Sequence, residues 1–290
     1  MKKGNVKIAG VVTLYNPTDK DISNIDTYLD DIEVLYVIDN TEGKDNKDRL
    51  PKSSKIKYNY KNENKGVGYA LNKGAELALK DGYNWLLTMD QDTTFKPGVI
   101  DKLKKDIATE DMKKVAILVP WQETKLRMKP VNNSFDYPET IMTSGNILNL
   151  KIWKEVGGFI EWFFIDGIDL EYSFKVRRKG YIILRDNSVS IDHELGDIKY
   201  KHFLGKEYVC SNHNYLRRYY IMRNNHYICD EYVEFSPKLC FDLITSKEIY
   251  KEILLFEKHK LKKIIAMRRG LKDYKNGFKG KYPHSKKFLG

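Results

Sequence analysis

The segment Trp85-Leu-Leu-Thr-Met-Asp-Gln-Asp92 combines an apolar strand with two carboxylates that follow it directly. The mostly apolar run from Trp85 to Met89 is typical of a strand that is covered on both faces of a sheet. Asp90 and Asp92 then stand at the carboxyl end of that strand, one residue apart, where they can bracket a hard divalent cation. An isolated Asp-x-Asp pair also occurs by chance in solvated turns, so its meaning depends on the surrounding sequence.

Apolar segments of the same kind recur before and after this strand, and they alternate with helical patterns. Further strands are predicted at Val6–Leu14, Val34–Ile38, Ile56–Tyr60 and Val115–Pro120, and helices at Asp21–Asp31, Gly66–Lys80 and Pro97–Ile107. This alternation predicts an α/β fold with a mostly parallel central sheet that is flanked by helices. In such sheets, ligands bind beyond the carboxyl ends of the strands.

Polar side chains lie at the ends of three of the predicted strands, namely Val6–Leu14, Val34–Ile38 and Trp85–Met89. They are Thr13, Tyr15 and Asn16, then Asp39 and Asn40, and then Asp90 and Asp92. Because parallel strands end at one edge of the sheet, we expect all three sets to converge on one crevice. This convergence indicates a ligand site more strongly than any single motif does.

The segment Asn64-Lys-Gly-Val-Gly-Tyr-Ala-Leu-Asn72 opens a predicted helix and contains two glycines. Glycine allows a ligand to approach the backbone, and the N-terminus of a helix favours an anion. The spacing matches neither the Gly-x-Gly-x-x-Gly dinucleotide motif nor a P-loop, which excludes those two kinds of nucleotide site. On spacing alone, a plain helix start capped by Asn64 explains the segment equally well.

A second acidic group consists of Asp166, Asp169 and Glu171, before and within a predicted helix at Leu170–Lys179. Acidic side chains interact favourably with the N-terminal end of a helix dipole, which explains one or two of these acids more easily than three. His193 lies further along the chain. Taken alone, it is typical of a buried histidine that makes structural hydrogen bonds.

These segments occur in the order found in inverting family 2 glycosyltransferases of the GT-A fold, which the chain resembles over about residues 6–230. The first segments that carry the resemblance are Val11–Asn16, Val37–Asn40, Asn64–Asn72, Leu87–Asp92, Ser144–Asn146 and Trp153–Phe159. Three more, Phe164–Tyr172, Arg177–Tyr181 and His193–Gly196, are similar to the rhamnosyltransferase branch in particular. Each segment alone is unspecific, whereas the ordered set is highly specific.

The resemblance implies a nucleotide-sugar site in the first half of the chain. Asp39 would hydrogen-bond the pyrimidine base of the donor, and Asn64 and Gly68 would flank the base and the ribose. The other donor-binding residues would be Thr13, Tyr15, Asn16, Asn40, Asn72, Asp90 and Gln91. The acceptor-binding residues would be Trp121, Ser144, Gly145 and Trp162.

The same resemblance implies a divalent cation, Mg²⁺ or Mn²⁺, and a carboxylate base. Asp92 would ligate the cation together with Asp90, and His193 would lie near the cation or the diphosphate. Asp169 would be the catalytic base, because it takes the place of the first Asp in the Glu-Asp-x-Asp motif of many family members. The Glu of that motif is missing here, and Asp166 supplies an acid three residues before Asp169 instead, so Asp166 is a second candidate.

The expected function is therefore an inverting transfer of L-rhamnose from dTDP-rhamnose to a glycan or lipid-linked glycan, in the synthesis of a cell-surface polysaccharide. A UDP-hexose or UDP-N-acetylhexosamine donor is the alternative within the same fold. A nucleotidyltransferase is a more distant alternative. It would need a Gly-rich signature and a lysine near the end of the first strand, and the sequence has neither.

The net charge of +11 is concentrated near the C-terminal end of the chain. Residues 211–290 contain 18 Lys and Arg against 8 Asp and Glu, and Leu254–Leu271 combines basic with apolar residues. A basic amphipathic helix is typical of a segment that lies on an anionic membrane surface. A solvated helix that packs by one apolar stripe is the alternative. Binding to nucleic acid is not expected, since the tail lacks a recognised nucleic-acid-binding module.

We expect a catalytic GT-A domain over residues 1–210, with its nucleotide-sugar half at about 1–115 and its acceptor half at about 116–210. A basic helical extension is expected over residues 211–290. No segment approaches the roughly 18 apolar residues of a membrane span, and the start of the chain lacks the apolar core of a signal peptide. We therefore expect a cytoplasmic protein whose basic extension can contact the cytoplasmic face of the membrane.

Overall fold

The structure, a computed structural model, describes residues 6–123, 134–193, 199–203 and 205–283. Its strands are β1 (Ala9–Leu14), β2 (Val34–Asp39), β3 (Ile56–Tyr60), β4 (Trp85–Asp90), β5 (Thr93–Phe95), β6 (Val115–Glu123), β7 (Phe135–Asp136), β8 (Asn146–Asn149), β9 (Ile182–His193), β10 (Lys199–Phe203) and β11 (Lys206–Cys210). Its α-helices are α1 (Asp19–Ser23), α2 (Val67–Lys80), α3 (Val99–Thr109), α4 (Leu150–Val156), α5 (Ile168–Arg178), α6 (Tyr215–Tyr232), α7 (Pro237–Thr245), α8 (Lys247–Phe256) and α9 (Lys260–Lys275).

The first four strands form the parallel part of a nine-stranded sheet, in which eight strands have the order β3-β2-β1-β4-β8-β6-β9-β5 and the ninth, β7, pairs with β9. In this register, Thr13 on β1 lies opposite Asp90 on β4, and Leu14 lies opposite Asp39 on β2. The carboxyl ends of β1, β2 and β4 therefore meet at one edge of the sheet. The α/β fold expected from the sequence is confirmed.

The second half of the sheet brings distant segments to the same edge. β8 runs antiparallel between β4 and β6, and β9 lies parallel to β6. Directly after Asp92, the chain continues as β5, which pairs antiparallel with β9 so that Thr93 lies opposite His193. The loop that carries Asp90 and Asp92 is thus flanked by the end of β9.

Helices cover both faces of the sheet. Because successive strand residues point to opposite sides, each strand contributes side chains to both cores. Val11 joins a core cluster with Ala70 of α2 and Phe174 of α5, whereas Val12 joins a second cluster with Leu103 of α3. β1 and β2 are almost wholly buried for this reason, whereas the edge strand β3 is only partly buried.

One predicted helix, Asp21–Asp31, is wrong in its extent. α1 ends at Ser23, and a 3₁₀ turn spans Asn24–Thr27. The side chains of this turn bond elsewhere, since Asn24 Nδ2 donates to the carbonyl of Gln91 at 2.9 Å and Thr27 Oγ1 accepts from the Phe95 amide at 3.1 Å. Such side-chain bonds compete with a continuous helix and tie the turn to the Asp90–Asp92 loop.

The C-terminal region consists of helices α6 to α9, as the sequence indicates. The helical structure continues to Lys275, and Tyr282 beyond it is buried. The Tyr282 amide donates to the hydroxyl of Tyr220 at 2.7 Å. None of the helices in the described ranges has the length and apolar character needed to cross a membrane.

Candidate functional site

The Asp90–Asp92 loop is held in place by hydrogen bonds from neighbouring strands. The Asp90 amide donates to Ser144 Oγ at 2.9 Å, and the buried Ser144 hydroxyl donates to Thr93 Oγ1 at 2.8 Å. Gln91 joins this loop to the end of β1, because its Oε1 accepts from the Tyr15 amide at 2.8 Å. Ser144 and Gln91 therefore fix the direction in which the Asp90 and Asp92 carboxylates leave the sheet.

The end of β1 presents the first set of predicted donor-binding residues. The Thr13 hydroxyl is buried and has no hydrogen-bond partner among the described residues. Tyr15 is an exposed aromatic side chain, and Asn16 adopts a positive φ of 46° with its amide donating to Thr41 Oγ1 at 2.9 Å. A buried hydroxyl without a partner is costly, so Thr13 is suited to bond a ligand in this crevice.

Asp39 and Asn40 lie at the end of β2 and are both buried. The Asp39 carboxylate accepts from Tyr58 OH at 2.6 Å, from Asn46 Nδ2 at 2.9 Å and from the Thr41 amide at 2.9 Å. A carboxylate has about four acceptor positions, so these three bonds leave room for one more donor. Asn40 Nδ2 donates to the carbonyl of Gly66 at 3.1 Å and so ties β2 to the start of α2.

The start of α2 packs closely on the segment between α4 and α5. Asn64 Oδ1 accepts from the amide of Gly66 at 3.0 Å, which shapes the turn before the helix. A Cβ atom at Gly68 would lie 2.7 Å from the carbonyl oxygen of Ile160, so glycine is required there by close helix–loop packing. Close packing against protein, rather than the approach of a nucleotide, is the role that the structure gives to Gly68.

Asn72 is buried between α2 and the loop that follows α4. Its Nδ2 donates to the Phe159 carbonyl and to Glu161 Oε1, both at 2.9 Å, and its Oδ1 accepts from the Phe159 amide at 2.8 Å and from Trp153 Nε1 at 3.3 Å. These bonds use the full capacity of the amide. Asn72 therefore joins the two halves of the domain and leaves no side-chain group for a nucleotide.

Two acids at the start of α5 face the Asp90–Asp92 loop. Asp169 lies in the first turn of α5, and its Oδ1 accepts from the Leu170 amide at 2.8 Å. Asp166 precedes the helix with a positive φ of 64°, and its carboxylate forms an ion pair with Arg217 of α6. The Arg217 Nε atom lies 3.2 Å from each oxygen of Asp166.

The Asp90 carboxyl is influenced by its burial and by charges from distant parts of the chain. Burial together with the charges of Asp92 and Asp169 raises this pKa to about 7, and the charge of Arg217 opposes the shift. The pKa of Asp169 is also raised, chiefly by burial and also by Asp166, against the Leu170 amide and Arg217. Asp169 therefore lies within electrostatic reach of Asp90, although the two residues are 79 positions apart in sequence.

Arg217 is a further residue of this site, and the sequence alone does not single it out. Three arginines of α6 are basic enough to contact phosphates, but only Arg217 reaches the acidic group. Arg218 is buried in ion pairs with Glu252 and Glu257, and the buried Arg223 donates to backbone carbonyls. The pattern of charges along α6 does not distinguish the three, because the packing of α6 decides which one faces the cleft.

The loop before α5 is clamped by two fully buried neighbours on α6. Arg223 donates to the carbonyls of residues 162 and 163, both at 3.1 Å, and to that of residue 280 at 2.6 Å. Asn224 Nδ2 donates to the carbonyls of residues 163, 165 and 166 at 3.1, 2.9 and 2.8 Å. Phe164 and Asp166 both have positive φ, a backbone form that costs energy and persists where the surroundings enforce it.

The predicted acceptor residues are distributed over several environments. Ser144 contacts the Asp90 loop, as described above, and Gly145 has a φ of 79° with the Ile191 side chain 2.2 Å from the position of a Cβ. The Trp121 ring is covered by the guanidinium of Arg185, 4.2 Å from its centre. Trp162 packs edge-on against Tyr227, with its ring centre 4.8 Å away. The structure brings Ser144 to the acidic group and gives Trp121 and Trp162 packing contacts.

The residues present are suited to a cation that completes its ligand sphere with substrate. Among the described residues, no three His, Cys, Asp or Glu side chains are grouped so that they could hold a metal ion by themselves. Mg²⁺ is commonly bound through one or two carboxylates plus substrate phosphates and water, which fits Asp90 and Asp92. The role expected of the His193 side chain lies outside what the structure describes, as do residues 194–196 of its motif.

Comparison with known proteins agrees with this geometry. Residues 21–152 match the family model described as Glycosyl transferase family 2. A dTDP-rhamnosyl transferase, RfbF of Shigella flexneri, is 27% identical over 244 residues, which cover 76% of this chain and 79% of that protein.

Solved structures share the fold at low sequence identity. GalNAc-T7 with UDP, GalNAc and Mn²⁺ has a TM-score of 0.59 and 12% identity, over 94% of this chain and 55% of that chain, so this chain spans about half of its length. S. aureus TarS 1-349 with UDP-GlcNAc has a TM-score of 0.54 and 14% identity, over 93% of this chain and 80% of that one. The chain thus carries a glycosyl transferase family 2 domain on a GT-A fold, and it is a glycosyltransferase.

Proposed function

We propose that the chain transfers L-rhamnose from dTDP-rhamnose to a glycan or lipid-linked glycan in the synthesis of a cell-surface polysaccharide, with inversion at the anomeric carbon. One observation carries this proposal: Asp90 lies within electrostatic reach of Asp92 and Asp169, and Arg217, which is paired with Asp166, acts on Asp90 and Asp169 as well. A diphosphate-linked donor and a deprotonated acceptor need these two kinds of group side by side. The similarity to a dTDP-rhamnosyl transferase supports the choice of donor.

The donor would lie along the edge formed by β1, β2 and β4. The buried Thr13 hydroxyl supplies a hydrogen bond that no described residue takes, and the exposed Tyr15 ring supplies an apolar face. Asp39 retains an acceptor position for an N–H of the pyrimidine. Asn40 and Asn64 would shape this pocket through their bonds at the start of α2.

Asp92 and Asp90 would hold Mg²⁺ or Mn²⁺ against the donor diphosphate. When bound, the cation would neutralise the charge that develops on the leaving group. Its arrival would also relieve the repulsion that raises the pKa of Asp90. Arg217, which is partly exposed and already faces these acids, is placed to bond a diphosphate oxygen as well.

Asp169 is the better base of the two candidates. The guanidinium of Arg217 bonds both oxygens of Asp166, which neutralises that carboxylate and occupies it. Asp169 has one oxygen held by the Leu170 amide and a raised pKa, and a base works best when its pKa is close to the working pH. In this proposal, Asp169 Oδ2 accepts the proton of the acceptor hydroxyl. Asp166 orients Arg217.

The transfer would proceed as one displacement at the anomeric carbon. The acceptor hydroxyl attacks from the face opposite the diphosphate, and Asp169 takes its proton from a distance of about 2.6–3.2 Å. The bond to the diphosphate breaks as the new glycosidic bond forms, so no covalent enzyme intermediate is needed. In this proposal, residues 1–210 form the catalytic domain, and residues 211–290 form a helical region with a role at the membrane surface on the cytoplasmic side.

A donor panel tests this function directly. The purified chain with Mn²⁺ is given dTDP-rhamnose, UDP-glucose, UDP-galactose, UDP-GlcNAc or UDP-GalNAc, and the release of nucleoside diphosphate is measured with a lipid-linked glycan acceptor. We expect turnover with dTDP-rhamnose alone. Turnover with a UDP-sugar instead would show that the donor sugar is a hexose or an N-acetylhexosamine rather than rhamnose. The control is the Asp169→Asn variant, in which turnover should be strongly reduced if transfer takes place at this site.

A further inference from the structure

An exposed apolar surface lies where α8 ends and α9 begins. Leu254, Leu255, Leu261 and Ile265 are 54, 40, 72 and 36% exposed, although they belong to helices that pack their other faces on the protein. Lys260 Nζ donates to the carbonyl of Leu254 at 2.7 Å, so the start of α9 lies against the end of α8. We refer to residues 254–265 as the α8–α9 corner. Large side chains exposed together in this way mark an interaction surface.

The exposed charged side chains from residue 253 to residue 273 are all basic, whereas the exposed acid Glu248 lies earlier on α8. The two acids between residues 253 and 273, Glu257 and Asp273, are both buried. Glu257 is held by Arg218 and Lys263 at 2.6 and 2.7 Å, and Asp273 accepts from Tyr219 OH at 2.8 Å. The exposed charged side chains of this stretch are therefore basic, namely Lys258, Lys260, Arg268 and Lys272.

The geometry points to an anionic lipid surface as the partner of the α8–α9 corner. Exposed leucines can enter the boundary between lipid headgroups and acyl chains, while lysines beside them contact the anionic headgroups. A nucleic acid is a poorer match, because its phosphates would use the lysines but its bases stack on aromatic side chains, and the exposed apolar residues here are aliphatic.

The corner is joined to the catalytic acids through the first turn of α6. Glu257 Oε1 accepts from the Asn212 amide at 3.1 Å, and Lys262 lies 4.0 Å from the centre of the Tyr215 ring. Two residues after Tyr215, Arg217 enters the acidic group of the site. Docking at the corner would therefore hold the site next to the bilayer, where a lipid-linked acceptor lies, and this last step rests on the proposed function.

Vesicle sedimentation tests the docking without reference to catalysis. The full chain is mixed with vesicles of phosphatidylcholine alone or of phosphatidylcholine with phosphatidylglycerol. We expect binding to the anionic vesicles that is at least about tenfold tighter than to the neutral ones. The exposed pair Leu254→Gln and Leu261→Gln should weaken binding at least about tenfold, because the apolar contribution is lost. Equal binding to both vesicle types, or no binding, would overturn the proposal.

A charge-matched control separates the corner from general basicity. Replacing Lys258 and Lys260 by Gln should remove most of the preference for anionic vesicles, whereas Lys113→Gln with Lys114→Gln, two exposed lysines before β6, should leave it unchanged. Unaltered binding by the leucine variant, with competition by single-stranded DNA, would assign the surface to nucleic acid instead.

The outcome is distinguishable from failure of the proposed function. Transfer to a water-soluble analogue of the acceptor should be unchanged in both corner variants, since none of the substituted residues lies among the catalytic acids. If the chain binds anionic vesicles but transfers no rhamnose, only the rhamnosyl-transfer proposal is contradicted. If a variant that no longer binds vesicles still transfers sugar fully to a lipid-linked acceptor, only the proposed role of the α8–α9 corner is contradicted.

Discussion

The clamp on the loop before α5 provides the most discriminating substitution, Arg223→Lys. The Arg223 guanidinium is fully buried and donates to three backbone carbonyls, of residues 162, 163 and 280. The donors of a lysine ammonium all lie on one nitrogen, so lysine cannot reach the three carbonyls that the planar guanidinium reaches. The variant should therefore release a loop that contains two positive-φ residues and leads into Asp169.

The size of the effect follows from the bonds that are lost. Hydrogen bonds from charged groups contribute about 1.5–3 kcal/mol each. Two of the three bonds go to the loop, at residues 162 and 163, so if lysine keeps one of these two, the loop loses about 1.5–3 kcal/mol of support. A displacement of about 1 Å at a reacting group reduces the rate about 100-fold. We expect kcat to fall by about that factor while KM for the donor changes less than about threefold.

The matched control is Arg218→Lys on the same helix. Arg218 is also buried, but it bonds Ser211 and the carboxylates of Glu252 and Glu257, away from the loop. It should lower the free energy of unfolding by an amount similar to Arg223→Lys, on the order of 1–3 kcal/mol, with kcat nearly unchanged. Steady-state kinetics and chemical denaturation of both variants give the comparison. Equal losses of kcat in both variants, or none in Arg223→Lys, would refute the positioning role.

Three further predictions concern single residues. Asp169→Asn should reduce transfer by about 10²–10⁴-fold, the usual contribution of a general base, while calorimetry shows donor affinity preserved; near-normal turnover would assign the base elsewhere. Ser144→Ala should cost about 1–2 kcal/mol of stability and raise the Mn²⁺ concentration needed for half-maximal activity, because it frees the Asp90 amide; an unchanged metal dependence would contradict this. Burial raises the pKa of Asp106 to about 6. The folded protein therefore keeps a proton that the unfolded chain already releases near pH 4. As the pH rises from about 4 to about 6, the free energy of unfolding should decrease. Denaturation of Asp106→Asn should show a flatter profile over that interval, and an unaltered profile would rule the residue out.

Most elements of the parallel part can be predicted from the sequence, although β1 starts at Ala9 rather than at Val6 and the first helix is shorter than predicted. β3 spans Ile56–Tyr60 as predicted, and α2 begins at Val67, one residue after the predicted start at Gly66. Strands that are buried on both faces are nearly uniformly apolar, so their bounds are visible in the sequence. The same property places their polar ends, which is why Asp39 and Asp90 could be assigned to one edge.

The second half of the fold is less visible in the sequence. β8, only Asn146–Asn149, runs antiparallel between β4 and β6, and no local pattern indicates that insertion. Its position nevertheless delivers Ser144 to the Asp90 amide. Arg217 could not be separated from its neighbours for a similar reason, since the direction in which a side chain of α6 points is set by packing against distant segments. Resemblance, rather than periodicity, selected Asp169.

The most direct test of the shared acidic site is a crystal soaked with Mn²⁺ and a nucleoside-diphosphate sugar. We expect the anomalous peak of Mn²⁺ at about 2.0–2.4 Å from a carboxylate oxygen of Asp92, in contact with the donor diphosphate. We also expect Asp169 to face the anomeric carbon from the side opposite the diphosphate. Manganese bound away from Asp90 and Asp92, or a sugar out of reach of Asp169, would contradict the account.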